Sequence, residues 1–135
     1  MIVYLLDTNI LSYALKPQYT GLKARLEVAM LGNEVAISAV TRAEIRAGQR
    51  RMEPQDKRRP LIDKLLGTIA TLDWTSRAAD IYGEVHAYLT SCGQPIGILD
   101  TQIAAHALAA RLTMVTHNTR HFERIPGLML EDWMV

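Results

Sequence analysis

This chain has a single cysteine, almost no net charge and no long apolar run. The single cysteine, Cys92, excludes an internal disulfide and a zinc cluster built from cysteines. The 15 Lys and Arg residues nearly balance the 14 Asp and Glu residues, which argues against a histone-like or tail-driven nucleic-acid binder. No run reaches the ~18 apolar residues of a membrane span, and Asp7 ends the first apolar run too early for a signal peptide. We therefore expect a cytoplasmic protein without membrane contact.

The residues that are present suffice for one hydrophobic core. The 135 residues fit a single domain, 1–135, in which 49% of residues are hydrophobic and 21% are charged. This composition is typical of globular proteins and argues against disorder. A domain of this size buries roughly two-thirds of the surface that its unfolded chain exposes, so a core of its own is expected.

Short apolar runs alternate with helical patterns along the chain. The runs are continuous or β-branched, as in strands that are buried on both faces. Strands are predicted at residues 2–6, 34–38, 71–74, 112–116 and 128–130. Helices are predicted at residues 10–15, 22–31, 61–69 and 99–110, and around residues 40–47 and 78–89. This alternation predicts an α/β fold with three layers, α/β/α, around a central, mostly parallel sheet of four to five strands.

The sequence also predicts which face of the helix after the second strand is buried and where the helices are interrupted. The core-facing stripe after the second strand is predicted to consist of Val40, Ala43, Glu44 and Ala47. Gly48 is a weak point in that helix, and Pro54 and Pro60 are expected to break the segment that follows. Residues 117–127, which include a proline, are predicted to form a loop.

Polar residues stand just past the predicted strand ends, where parallel α/β sheets bind their ligands. Asp7 directly follows the first strand, and Glu44 lies one helical turn beyond the second. Asp100 lies at the N-terminal end of a buried helix face, and Asn118 follows the fourth strand. The four residues come from separate strand–helix junctions, so a parallel sheet would bring them to one edge.

Each of these residues also has a simpler role that the sequence leaves open. Asp7 is a good helix cap, as are its neighbours Thr8 and Asn9. Glu44 can pair with Arg46. In the same way, Asp100 can cap its helix and Asn118 can form an Asx turn.

The four residues together indicate a function more specifically than each does alone. Three carboxylates at one edge repel one another, and a structural core would not gather them without compensation. A hard divalent cation supplies that compensation, and ligation by oxygen alone favours Mg²⁺ or Mn²⁺ over Zn²⁺. Such a metal binds phosphate oxygens and lowers the pKa of a water. We therefore predict that Asp7, Glu44, Asp100 and Asn118 serve the hydrolysis of phosphodiester bonds.

Five segments form an ordered set over nearly the whole chain. They are residues 4–9 (YLLDTN), 37–48 (ISAVTRAEIRAG), 97–107 (GILDTQIAAHA), 115–122 (VTHNTRHF) and 125–133 (IPGLMLEDW). Each segment alone is weakly specific. In this order and at this spacing they resemble the PIN-domain ribonucleases and, within them, the VapC toxins of bacterial toxin–antitoxin pairs.

The resemblance implies a PIN-like fold and an endoribonuclease that depends on Mg²⁺ or Mn²⁺. Asp7, Glu44 and Asp100 match the acidic metal-site positions of the family. The polar positions that support the site are matched by Thr8, Asn9, Ser38 and Thr116. The resemblance further implies cleavage of RNA, such as tRNA, with inhibition of translation and growth. The implied partners are a VapB-type antitoxin and a second copy of the chain, in a homodimer and a toxin–antitoxin hetero-oligomer.

The chain departs from the family at a fourth acidic position. Many PIN domains have a fourth acid near the segment that corresponds to residues 116–122. Here Asn118 and His121 stand at the two candidate positions. Asn118 offers an oxygen without charge, and His121 replaces a carboxylate on Mg²⁺ poorly. The departure leaves open whether the site holds one metal or two.

Basic residues surround the acidic positions. Residues 42–59 contain seven arginines and lysines against three acids, a net charge of +4. Basic groups of this kind hold the phosphates of a polyanion. The residues predicted to contact RNA, or instead an acidic antitoxin peptide, are Arg42, Arg46, Arg50 and Arg120. His86 and His106 are interpreted as surface or partly buried histidines rather than as metal ligands.

Two other functions remain open from the sequence. An aspartyl phosphoryl-transfer domain also places an acid such as Asp7 after its first strand. It needs a lysine at a later strand end, and this chain has none after Lys64. A non-catalytic PIN module that binds RNA or a partner is the other alternative, and the histidine at position 121 favours it.

Overall fold

Five short strands and seven helices alternate along residues 1–134, the part of the chain that the computed structural model describes. The strands are β1 (Tyr4–Leu6), β2 (Val35–Ser38), β3 (Ala70–Leu72), β4 (Thr113–Val115) and β5 (Leu130–Glu131). The helices are α1 (Thr8–Ala14), α2 (Thr20–Leu31), α3 (Ala39–Arg50), α4 (Arg58–Thr68), α5 (Ser76–Ser91), α6 (Ile98–Ala110) and α7 (Thr119–Phe122).

All five strands are parallel and form one sheet in the order β3-β2-β1-β4-β5. β1 is central, and Leu6 is in register with Ile37 of β2 and with Val115 of β4. The chain runs outward from β1 in both directions, so the strand order reverses beside β1. A crevice opens at the carboxyl ends of the strands at such a reversal.

Helices cover both faces of the sheet, which confirms the predicted three-layer α/β/α fold. One face presents Leu6, Ile37 and Val115 to a core formed with α1 to α4. The other face presents Leu5, Ala36 and Met114 to α5 and α6. Alternate strand residues point to opposite faces, so continuous apolar runs are needed to bury the sheet on both sides.

The buried face of α3 differs from the predicted stripe. Ala43 and Ala47 are exposed, whereas Thr41, Ile45 and Gln49 are buried. The prediction was wrong because polar residues can occupy a buried face when a neighbouring helix satisfies them. The amide nitrogen of Gln49 donates to the carbonyl of Arg59 and to Oδ1 of Asp63, both at 2.9 Å.

Two further helix predictions were wrong. Pro60 does not break α4 but lies in its first turn, where a missing N–H leaves no intrahelical bond unmade. The predicted loop after β4 contains the short helix α7, which the proline and glycine further along had obscured. Gly48 lies inside α3, which continues to Arg50. Among the described helices, none combines the length and apolarity that crossing a bilayer requires.

Candidate active site

Asp7 lies at the carboxyl end of the central strand, where the strand order reverses. Its carboxylate caps α1, because Oδ1 accepts a hydrogen bond from the backbone N–H of Ile10 at 2.8 Å. Oδ2 accepts a bond of 2.6 Å from the hydroxyl of Thr116, which follows β4. The residue is only 3% exposed. The capping role is therefore confirmed, and it fixes both oxygens of a buried carboxylate beside the crevice.

The surroundings of Asp7 disfavour its charge. Burial raises the pKa of the Asp7 carboxyl, while the bonds from Thr116 and Ile10 lower it. The negative charges of Asp100 and Glu44 raise this pKa further. The sheet edge therefore places Asp100 and Glu44 close enough to act on the charge of Asp7, and a metal site formed by the three acids stays a prediction.

Glu44 faces α1 from the first half of α3. Its Oε1 accepts a hydrogen bond of 2.7 Å from the hydroxyl of Thr8. The alternative pairing with Arg46 is absent in the described chain, because Arg46 instead lies 2.6 Å from Oδ1 of Asp63. Glu44 and Thr8 line a cavity of about 340 Å³, together with Lys16 and other residues of α1, α3 and α4. One carboxylate thus opens toward a cavity beside the crevice.

Asp100 lies in the first turn of α6, where the helix dipole favours a negative charge. It is not the helix cap, since the helix is preceded by Gly97, whose φ of +97° suits a residue without a Cβ. Oδ2 of Asp100 lies 3.2 Å from Nε2 of His121, which is also 3.1 Å from the carbonyl oxygen of Ile96. Burial raises the pKa of the Asp100 carboxyl, and the contact with His121 lowers it.

Asn118 and Asn9 lie at the edge of the candidate site. The side chains of both are exposed. The backbone N–H of Asn118 donates to the hydroxyl of Thr116 at 3.1 Å, so its backbone supports the bond from Thr116 to Asp7. The Asn118 side chain makes no capping bond to α7. A role for the Asn118 amide in catalysis stays a prediction.

Ser38 ends β2 and is fully buried. Its Oγ accepts a bond of 3.1 Å from the N–H of Val40 and so caps α3. The same oxygen lies 2.7 Å from Nδ1 of His106. His106 is 2% exposed, so its interpretation as a surface or partly buried histidine was wrong. Burial lowers the pKa of His106, while a bond to the backbone of Asp73 raises it.

Two of the predicted RNA-binding arginines serve the fold. Arg42 donates to the carbonyl of Leu66 at 3.0 Å and to the hydroxyl of Thr71 at 3.1 Å. Arg46 binds Gln49 and Asp63. Both arginines thus fasten α3 to its neighbours, whereas Arg50 and Arg120 are exposed. RNA contact by any of the four stays a prediction.

Three histidine contacts were missed by sequence reasoning: His121 with Asp100, His106 with Ser38, and His117 with Asp132. Each pair joins residues from separate segments of the chain. Sequence spacing carries no signal for such pairs, although His117 and His121 lie in the segment that the resemblance marks.

The donor set suits a hard cation. Within residues 1–134, no group of three Asp, Glu, His or Cys side chains is arranged so that it could hold a metal ion by itself. Mg²⁺ does not need such an enclosure, because it keeps several waters and takes one or two carboxylates plus substrate phosphate. Asp7, Glu44 and Asp100 offer oxygen alone, and a cation between them would relieve the repulsion that raises the pKa of Asp7.

Comparison with known proteins agrees with this geometry. The PIN domain family matches residues 4–128. Ribonuclease VapC2 of Rickettsia felis is 34% identical over 97% of this chain and 98% of its own. The tRNA(fMet)-specific endonuclease VapC of Shigella flexneri is 34% identical over 98% of this chain and 99% of its own.

Solved structures show the same architecture. VapBC2 from Rickettsia felis, bound to a DNA fragment from its promoter, matches 98% of this chain and 99% of its own at 33% identity and a TM-score of 0.89. DNA-bound VapBC from Salmonella typhimurium matches 98% of this chain and 99% of its own at 31% identity, with a TM-score of 0.90. The chain therefore belongs to the PIN-domain family and, within it, to the VapC group.

Proposed function

We propose that this chain is an endoribonuclease that depends on Mg²⁺ or Mn²⁺ and acts as the toxin of a type II toxin–antitoxin pair. The observation that carries the proposal is the buried carboxylate of Asp7, whose pKa is raised by burial and by the nearby charges of Asp100 and Glu44. A protein retains such a group at a cost in stability, and perturbed acids in a crevice are typical of active sites.

The VapC relatives support the substrate and the partner. The relative from Shigella flexneri is named for cleavage of tRNA(fMet), and the structures from Rickettsia felis and Salmonella typhimurium contain VapBC pairs. We infer that this chain cleaves RNA, with tRNA as the first substrate to test, and thereby inhibits translation and growth. A VapB-type antitoxin would restrain it, and the active form would be a homodimer.

Some residues of the site would bind the metal, and others orient the carboxylates that bind it. Asp7, Glu44 and Asp100 would hold the metal, which when bound supplies positive charge at the scissile phosphate and acidifies a water. The hydroxyl of Thr116 and the N–H of Ile10 fix the orientation of the Asp7 carboxylate, and each oxygen keeps a lone pair free. Thr8 orients Glu44 in the same manner.

Substitution of the acids tests this function. Asp7→Asn and Asp100→Asn should each lower Mg²⁺-dependent cleavage of tRNA at least ~100-fold and relieve growth inhibition, because the oxygen that meets the cation loses its charge. Asp80→Asn, at an exposed position of α5, is the matched control and should cleave normally. Circular dichroism should show that all three variants fold. Full activity in both site variants would refute the assignment.

A non-catalytic PIN module is the second candidate, favoured by the contact between His121 and Asp100. A histidine at 3.2 Å supplies a competing partner for the carboxylate that the metal needs. Calorimetry separates the two functions. A catalytic site binds Mg²⁺ or Mn²⁺ with heat that disappears in Asp100→Asn, whereas the non-catalytic module binds RNA and shows no such heat.

A further inference from the structure

A cluster of three rings and one ammonium group lies beside the acids and has no part in the function described so far. The rings of Tyr13 and His117 meet edge to face with centroids 6.1 Å apart, and those of Tyr13 and Tyr19 with centroids 5.1 Å apart. The ammonium of Lys16 lies 5.4 Å from the centre of the Tyr13 ring. We call these four residues the ring cluster.

The ring cluster lies at the same sheet edge as the acids. His117 directly follows Thr116, whose hydroxyl is 2.6 Å from Asp7. Consecutive Cα atoms are about 3.8 Å apart, so the backbone of His117 is adjacent to the site. Lys16 lines the same cavity as Thr8 and Glu44. A chain of nucleotides that reaches the acids would therefore pass close to the cluster.

His117 is held by Tyr13 and by one polar partner. Its Nδ1 lies 3.0 Å from Oδ2 of Asp132, a carboxylate whose side chain is 16% exposed. Asp132 is fixed in turn, because its Oδ1 accepts a 2.9 Å bond from the N–H of Met134. The His117 side chain is nevertheless 49% exposed. The imidazole is thus oriented by a more buried partner while much of the ring stays open to a ligand.

Packing against the core accounts for only two of these four residues. Tyr13 and Tyr19 are partly buried against the core under α1 and α2. Lys16 and His117, in contrast, are exposed and lie outside both hydrophobic cores. An oriented ring, an aromatic neighbour and a cation are the elements with which proteins bind unpaired nucleotides, by stacking on bases and pairing with phosphates.

We propose that Tyr13, Lys16 and His117 form a subsite for an unpaired nucleotide of the RNA next to the scissile bond. His117, supported by Tyr13, contacts the base or ribose, and Lys16 contacts a phosphate. The subsite would favour single-stranded or looped RNA over duplex RNA, because a paired base offers no free face. This inference rests on the proposed function for its substrate class, but its test does not require cleavage.

Binding of a labelled single-stranded RNA, measured by fluorescence anisotropy in chelator, tests the subsite. His117→Ala should weaken binding about tenfold, because one stacking surface is lost. Lys16→Ala should reduce the slope of log K against log salt by about 0.7, the value for one phosphate contact on a single strand. Tyr13→Phe keeps the ring and should bind normally, whereas Tyr13→Leu should not.

The matched controls lie on α5, on the other face of the sheet. His86 is an exposed histidine stacked on Tyr82 with ring centroids 5.7 Å apart, so His86→Ala removes a comparable pair. Arg77→Ala removes an exposed cation. Both controls should bind the single strand normally. Duplex RNA of the same sequence should be bound more weakly and should be nearly insensitive to His117→Ala.

Several results would overturn the inference. They are no measurable RNA binding by the unsubstituted protein, unchanged binding by His117→Ala, an equal loss in His86→Ala, or an equal loss on duplex RNA. If the variants bind RNA normally but bind a VapB-type antitoxin more weakly, the surface belongs to the protein partner instead. If binding depends on the subsite but Mg²⁺ produces no cleavage, the proposed function fails and the subsite remains.

Discussion

Asp7 combines two properties that oppose each other at the scale of one residue. Its carboxylate caps α1 and accepts a hydroxyl bond, which stabilises the fold. Its burial and its acidic neighbours raise its pKa above 3.8, which destabilises the charged form. The site therefore has a built-in dependence on pH whose sign can be worked out.

We expect Asp7→Asn to stabilise the metal-free protein at neutral pH but not in acid. The folded state keeps the Asp7 proton over a range of pH above 3.8 in which the unfolded chain has lost it. The stability contributed by Asp7 is therefore complete below the unfolded value and falls as pH rises through the raised folded pKa. Asparagine keeps a capping oxygen and removes this loss.

Thermal unfolding in chelator, measured from acid to neutral pH, provides the test. The melting temperature of Asp7→Asn minus that of the unsubstituted protein should increase with pH, with a gain of a few degrees at neutrality, about 1 kcal/mol. Asp80→Asn should show no such trend, since Asp80 is exposed on α5. A difference that does not change with pH would contradict the prediction.

At the scale of elements, α3 carries Glu44 and α6 carries Asp100. One buried pair of residues joins these two helices. Ser38 caps α3, which carries Glu44, and it contacts His106 of α6, which carries Asp100. The rings of Trp74 and His106 meet edge to face with centroids 5.5 Å apart. Because His106 binds the backbone of Asp73, its Nδ1 accepts a hydrogen bond from the Ser38 hydroxyl in the neutral ring.

His106→Phe should destabilise the fold by about 1–3 kcal/mol, because it leaves the buried Ser38 hydroxyl and the Asp73 carbonyl without their partner. His106→Asn retains an acceptor near the Nδ1 position and should lose less. Burial lowers the pKa of His106 below 6.5, so the stability it contributes is present above 6.5 and is lost as pH falls. Denaturant titrations at neutral and mildly acidic pH measure both effects, with His86→Asn as the exposed control. Equal stability of His106→Phe and the unsubstituted protein would show that the pair is unimportant.

The same elements show why parts of the structure were predictable. Continuous apolar runs marked β1, β2 and β4, because a strand buried on both faces needs apolar residues at every position. The register of α3 was not predictable, since its buried polar residues have partners elsewhere in the sequence. Thr41 accepts a bond from Thr8, and Gln49 donates to Arg59 and Asp63. Periodicity records which residues are apolar but not which polar residues find partners.

At the scale of the whole molecule, the site follows from topology more than from local sequence. The positions of Asp7, Glu44 and Asp100 were predictable because parallel strands place their carboxyl ends at one edge, whereas their role as metal ligands stays a prediction. The histidines at 106, 117 and 121 were not, because each is paired across elements. The near-neutral charge of +1 likewise hides a cluster of acids at one edge and a basic segment in α3 and α4. A divalent cation at that edge would therefore act on the stability of the whole fold.

We expect Mg²⁺ to raise the melting temperature of the unsubstituted protein. A ligand that binds the folded state alone at a hundred times its dissociation constant stabilises by about 2.7 kcal/mol, which corresponds to roughly 10 °C for a chain of this size. Asp100→Asn should lose this shift. NaCl at matched ionic strength controls for screening and should produce a much smaller shift, because screening alone does not bridge the acids.

The effect of metal on the melting temperature should also change in His121→Asp. The substitution removes the donor that faces Asp100 and adds an oxygen ligand at one of the two candidate positions, 118 and 121, for the fourth acid of many PIN domains. Without metal the added charge should lower the melting temperature, since a further carboxylate joins the three acids. With Mg²⁺ or Mn²⁺ the midpoint of the stabilisation should move to about tenfold lower metal concentration, as is usual when the ligand environment of a metal changes. His86→Asp, at an exposed position of α5, is the control. An unchanged midpoint in His121→Asp, together with a normal shift in Asp100→Asn, would place the cation away from this edge of the sheet.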